Sequence, residues 1–331
     1  MYSFGILAYN QDSDIIRALE SVKYQVEQYS GKNKTEIIIA DDASSDNTVE
    51  YVRKWLRSNQ YLFSRSILLH SDKNQGTCKN IVSLYKEIQG DKFLCFAADD
   101  AIAHNNIYEY LDRLDRTDVQ SSSYAVFTGN KIQKHVHNYK SLLQRSYQKA
   151  QHMRFLSVAR VPIDGPTMSF NKRFINNGLL DFISNYSLIE DRPTTYYLFR
   201  QDNTCSYGYY AKVMMLYQVS DGSVSHQKVG KTHNSIMTDL TNFYNYCATN
   251  DDSIATRYTA KCNALRFSGK TIYKYLNFPY LLLRLFDAVH FFAAKRIFKK
   301  IQEEFPKCQD HLDYLNNKAN LFRFDTLEKK I

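Results

Sequence analysis

Phe93-Leu94-Cys95-Phe96-Ala97-Ala98-Asp99-Asp100 is the stretch whose reading decides the fold. Four apolar residues and two small ones run into adjacent carboxylates, the pattern of a buried strand that empties into a charged loop. A short apolar run after a helix and the Gly90-Asp91-Lys92 turn suits a strand covered on both faces, as in a parallel sheet. Ligands of open α/β sheets bind beyond the carboxyl ends of the strands, so Asp99 and Asp100 are expected to face the site. Two neighbouring carboxylates repel each other, and a divalent cation carrying a phosphorylated ligand is one way to offset that cost.

The same pattern recurs upstream. Phe4–Ala8, Glu36–Ala40 and Ser66–His70 read as strands, and the helical spacings Ile15/Leu19/Val22, Val49/Val52/Leu56 and Ile81/Leu84/Ile88 fall between them and before Phe93. Ser13 is a candidate cap for the first helix, and Asn47 with Glu50 resembles a capping box for the second. Four strands alternating with three helices predict βαβ units and a mostly parallel sheet whose strand ends share one edge. A helix near 105–114 and a strand near 124–129 follow, and then a looser mixed region.

The chain has 331 residues, 44% hydrophobic and 23% charged, with 11 Gly and 5 Pro, which excludes collagen-like, linker-rich and disordered classes. Six scattered cysteines without a CxxC pair signal neither a zinc site nor a disulfide framework. Met1 leads almost directly into a strand without a signal-like apolar region, so a cytoplasmic location is expected. The net charge of +9 is uneven: residues 255–331 hold 15 Lys+Arg against 7 Asp+Glu, and the part before them is nearly neutral. This places an expected boundary near 250, between a domain at 1–250 and a basic helical region at 251–331. Within that region 270–300 interleaves aromatic and aliphatic residues with Lys and Arg, too charged to span a bilayer. It suits either an amphipathic helix at a membrane surface or a helix packed on protein or on another subunit. No nucleic-acid reader motif accompanies the charge.

Taken together, Ala8-Tyr9-Asn10, Ile37–Thr48, Asn74-Gln75-Gly76 and Phe96–Asp100 in this order resemble glycosyltransferase family 2. Gly178-Leu179-Leu180-Asp181 and Glu190-Asp191 resemble the segment that carries the catalytic acid in that family. Tyr217–His226 resembles the strand and turn that closes the catalytic domain. The resemblance spans about residues 2–226 and implies a GT-A fold: a Rossmann-like, mostly parallel α/β sheet flanked by helices. It further implies inverting transfer of a sugar from a nucleotide-sugar, a UDP-sugar by preference, to a hydroxyl of a glycan or lipid-linked glycan, with Mn2+ or Mg2+ as cofactor. Carried over by position, Ala8, Tyr9 and Asn10 lie against the nucleotide, Tyr9 by stacking. Asp42 accepts from the base or ribose, Lys79 meets phosphate, Asp99 binds donor ribose or sugar, and Asp100 binds the metal. Asp191 is the general base, its proton affinity raised by the charge of Glu190, and Arg192 orients an acid or contacts phosphate. Gly165-Pro166-Thr167 lines the pocket. His135-Val136-His137 reads as surface, whereas His226 and His233 come late enough to return to the metal. A catalytically silent nucleotide- or glycan-binding partner of another transferase is the alternative. A dehydrogenase is excluded because no G-x-G-x-x-G follows the first strand.

Overall fold

The computed structural model describes residues 1–133, 142–143, 149–160, 163–219 and 230–328. His135, His137, His226 and the Ser220–His226 turn lie outside the described residues. The four apolar runs form a parallel sheet of β1 (Tyr2–Ala8), β2 (Thr35–Asp41), β3 (Arg65–His70) and β4 (Lys92–Ala97), in the order β3-β2-β1-β4. The intervening helices are α1 (Ile15–Tyr29), α2 (Thr48–Asn59) and α3 (Thr77–Glu87). Strand order reverses between β1 and β4, which opens a crevice at their carboxyl ends. Close approach of α3 to the sheet is set by Gly5 of β1, where a Cβ would lie 2.6 Å from Leu84 Cδ2.

The chain then passes through β5 (Ala101–Ile102) and α4 (Ile107–Asp112) into β6 (Val119–Thr128) and β7 (Lys131–Ile132). α5 (Ala150–Ala159) and β8 (Ser169–Phe170) follow, then α6 (Asn177–Ser184), α7 (Asp191–Gln201) and β9 (Tyr207–Gln218). β9 pairs parallel with β6 and antiparallel with β5, while β7 and β8 run antiparallel to β6. β6 begins five residues before the expected strand, because its first turns are a Gln-Ser-Ser-Ser run that carries no apolar alternation. These polar side chains are buried by cross-strand bonds: Ser121 and Ser123 hydroxyls meet the Tyr207 and Tyr209 hydroxyls at 2.5 and 2.8 Å.

Two expected caps form differently. Ser13 donates to Asp14 Oδ2 at 2.6 Å instead of capping α1, since Asp14 stands at the cap position and its other oxygen is held by Arg17. Asn47 occupies the cap of α2 without a capping bond, and Asp46 Oδ1 accepts from Thr48 N at 2.9 Å in its place.

The remaining helices are α8 (Lys231–Asn250), α9 (Ile254–Phe267), α10 (Tyr273–Leu276), α11 (Phe278–Gln302) and α12 (Phe305–Glu328). They share the apolar cores of the sheets. Ala260, Ala264 and Leu283 join the core under α3, Ala319 the core around α1, and Phe298, Ile301 and Leu312 the core beside β6. Arg160 pairs with Asp287 of α11 at 2.5 Å with both side chains buried. Removal of one partner from such a pair costs about 3–5 kcal/mol. No described helix is long and apolar enough to cross a membrane.

Gly76 links the sheet to the later segments. It has φ +89°, and a Cβ there would lie 2.7 Å from the Ser187 carbonyl oxygen, which accepts from Cys78 N at 3.0 Å. Gly76→Ala is expected to lower stability by about 1–3 kcal/mol in urea denaturation, from left-handed backbone strain together with the clash.

Candidate active site

At the carboxyl edge of the parallel sheet the loops after β1, β2 and β4 meet the amino ends of α3 and α7. Tyr9 is 47% exposed just beyond β1, available to a flat ligand. Asn10 adopts φ +51°, and its side-chain oxygen accepts from Ser45 N at 2.8 Å, tying the β1 loop to the β2 loop. The Ala8 carbonyl accepts from Asp42 N at 2.9 Å, which ties the end of β1 to the acids at the end of β2.

The two acids after β2 divide their work. Asp41 holds its own loop, accepting from Ser44 N at 2.9 Å and meeting His70 Nδ1 at 2.8 Å. Asp42, buried, accepts from Gln75 N and Gly76 N at 2.8 Å each, which fixes the loop that opens α3. Each of its oxygens retains a further acceptor position for a ligand imide or hydroxyl. Lys79 lies exposed in the first turn of α3.

The acids after β4 sit deeper. Asp100 is 1% exposed, and its Oδ1 accepts from Gln218 N at the end of β9 at 2.9 Å. Burial pushes the Asp99 carboxyl up to about 6, with the charge of Asp14 adding to the rise and Arg17 opposing it. Burial and the neighbouring Asp99 together raise Asp100 well above the carboxylate range. Arg17 of α1 is the nearby cation, but its Nη2 donates to Asp14 Oδ1 at 2.7 Å, to the Asp99 carbonyl oxygen at 2.8 Å and to Gln218 Oε1. Its guanidinium also lies 4.9 Å from the Phe127 ring centroid. Thus the carboxylates of Asp99 and Asp100 receive no bond from it. Sequence reasoning passed over Arg17; the signal for it was a charged Asp14/Arg17 pair at i,i+3 spacing inside an otherwise apolar helical run.

Glu190 and Asp191 occupy the cap and first position of α7. The Ser187 contact with Gly76 and Cys78 brings this segment against the amino end of α3. From the other side, a Cβ on Gly165 would lie 3.0 Å from Glu190 Oε1, so the Gly165–Thr167 turn borders the acid pair. Asp239 of α8 anchors the segment by accepting from Ser187 N at 2.9 Å and Leu188 N at 2.7 Å. An open cleft of about 490 Å³ adjoins it, lined by Ser187, Lys231, Asn234, Ser235, Thr238 and Asp239.

The titration of the pair differs from expectation in its cause. Burial, then the charge of Asp191, pushes Glu190 up to about 8. Asp191 is raised by burial, while Arg192 and two backbone hydrogen bonds hold it down. Both adjacent carboxyls therefore hold a proton more tightly than ordinary carboxylates do. Arg192 Nη1 donates to the Tyr244 hydroxyl at 2.9 Å and to the Ser157 carbonyl at 3.4 Å, and its charge acts on Asp191. An aromatic hydroxyl and a carbonyl in the α5–α8 seam supply acceptors that draw the guanidinium inward.

The residues fit a hard divalent cation in one respect: a buried carboxylate pair short of a protein cation. Among the described residues no group of three or more His, Cys, Asp or Glu side chains forms a ligand cluster, His233 included. Mg2+-type sites of nucleotide enzymes commonly take only one or two protein carboxylates and complete the shell with phosphate and water.

The model of the family described as Glycosyl transferase family 2 matches residues 3–180. Dolichyl-phosphate beta-glucosyltransferase of Saccharomyces cerevisiae is 25% identical over 151 residues, 44% of this chain and 44% of that enzyme, so the match spans less than half of either. Staphylococcus aureus TarS 1-349 in complex with UDP-GlcNAc superposes with a TM-score of 0.57 at 14% identity, covering 98% of this chain and 92% of that one. The Pyrobaculum calidifontis mannosyltransferase PcManGT, in complex with GDP-Man and Mn2+, gives 0.55 at 13% identity over 96% and 86%. At these identities the structural likeness establishes the fold, which is GT-A as expected.

Because the folded-state pKa values of Asp99 and Asp100 lie above their unfolded values, their contribution to stability is complete below about pH 4 and is lost as pH rises through about 6 and beyond. The melting temperature of the metal-free protein is expected to fall over that window and to recover with Mn2+ and UDP. Asp100→Asn should melt higher than the parent at alkaline pH without metal and lose most of the recovery.

Proposed function

The chain belongs to glycosyltransferase family 2, and from that premise we propose that it transfers a sugar with inversion from a UDP-sugar, a UDP-hexose or UDP-N-acetylhexosamine, to a hydroxyl of a glycan or lipid-linked glycan. The observation that supports this reading is a chain of contacts that ties Asp42 to the segment bearing Glu190 and Asp191. Asp42 reaches the α3 loop, that loop reaches Ser187, and the Ser187 segment delivers Glu190 and Asp191 beside the Gly165 turn. The structure of TarS with UDP-GlcNAc supports the choice of a uridine donor.

In this reading Tyr9 stacks on the base, and Asp42 accepts from the base or ribose with the positions its loop bonds leave open. Lys79 attracts the diphosphate as a point charge. Asp99 holds donor ribose or sugar, and Asp100 holds Mn2+ or Mg2+, which when bound neutralises charge on the departing nucleotide. Asp191 takes the proton of the acceptor hydroxyl as that oxygen attacks the anomeric carbon from the side opposite the diphosphate. Burial raises the proton affinity of Asp191, which suits a general base. One base and one good leaving group suffice for inversion in a single displacement. Residues 1–250 carry the chemistry in this scheme, and 251–331 support it.

Thermal shift against a panel of nucleotide-sugars with Mn2+ identifies the donor; a ligand at a hundredfold its Kd adds about 2.7 kcal/mol. Asp191→Asn is expected to keep that donor shift and to lose turnover by about 10²- to 10⁴-fold. A parent protein that binds donor but neither transfers nor hydrolyses it would instead be a silent binding partner.

A further inference from the structure

Helix α11 docks through one face only. Leu283, Asp287, Ala294, Phe298 and Ile301 are buried along a single seam. On the opposite side Leu281, Leu285, Val289 and Phe292 follow at spacings of four, four and three, which places them on one stripe. Leu285 is 65% exposed, Val289 77% and Phe292 77%, and Leu282 beside them 66%. Large apolar side chains this open are not a by-product of a helix half-sunk in a core. The same stripe continues at Arg296 and Lys299, with Lys300 alongside, so it passes from apolar to cationic within one helix face.

Charge decides what covers it. From Lys270 to Lys300 the chain carries seven Lys and Arg and a single acid, Asp287, which is turned inward to Arg160. A second copy seated on this face would cover Arg296, Lys299 and Lys300 without an acid to pair them, since the same acid-free stripe would have to be its own partner. An acid-free, cation-rimmed apolar stripe on a helix lying flat against its domain complements an anionic bilayer instead. The apolar residues enter the acyl boundary and the lysines meet the headgroups.

We propose that the outer face of α11 is a docking surface for an anionic lipid bilayer, holding the protein peripherally in the headgroup plane. The proposal goes beyond the transfer reaction and stands or falls independently of it. In co-sedimentation of the full chain, vesicles of phosphatidylglycerol and phosphatidylcholine are expected to carry the protein down, and pure phosphatidylcholine vesicles to leave most of it in solution. High salt weakens the binding. Arg296→Gln with Lys299→Gln and Lys300→Gln lowers the partition coefficient by about a hundredfold, at about fivefold per cation. Leu285→Ser with Phe292→Ser also releases the protein, and being exposed it leaves the melting temperature unchanged. Equal binding to both vesicle types, binding indifferent to these variants, or concentration-dependent dimerisation that they abolish would overturn the proposal.

Discussion

A pair of adjacent carboxylates buried at the end of a parallel strand is the constraint from which the rest of this molecule follows. Removal of ionised groups from water is costly unless charge is returned to them. Here the nearest cation, Arg17, spends its hydrogen bonds on Asp14, the Asp99 carbonyl and Gln218. That arrangement orients the β4 loop and clamps it between α1 and β9, yet it leaves the acids themselves with a raised proton affinity. In the proposed function a cation with an anionic ligand would complete that charge balance. Pre-set geometry with unfinished charge balance suits binding and electrostatic catalysis.

The second acid pair shows the complementary device. Glu190 and Asp191 start a helix whose position is set by backbone contacts: Ser187 against Gly76 and Cys78 on one side, Asp239 under Ser187 and Leu188 on the other. Two carboxyls in one recess cannot both ionise easily. Burial raises both, while the Arg192 charge and backbone bonds oppose the rise at Asp191, a balance not visible in the order of letters.

Much of the parallel half was legible because its signals are local. Strands β1 to β4 are built on short apolar runs, and acids fall at or just past the ends of β2 and β4, where sheet topology predicts a site. What stayed hidden depends on distant partners. β6 opens with serines whose burial makes sense only once Tyr207 and Tyr209 stand opposite. The caps of α1 and α2 shifted because Asp14 and Asp46 had competing bonds. Asp42 reads as a ligand contact in sequence, and folding also makes it the anchor of a loop more than thirty residues away. Arg17 was missed, since a guanidinium follows whichever acceptors the tertiary fold supplies.

The most direct measurement of the central claim is anomalous diffraction at the manganese edge from crystals grown with UDP and Mn2+. The account predicts a manganese peak on the Asp100 carboxylate, bridged to the diphosphate, with the uracil between Tyr9 and Asp42. A peak elsewhere on the molecule, or UDP bound with Asp99 and Asp100 untouched by metal, would contradict it.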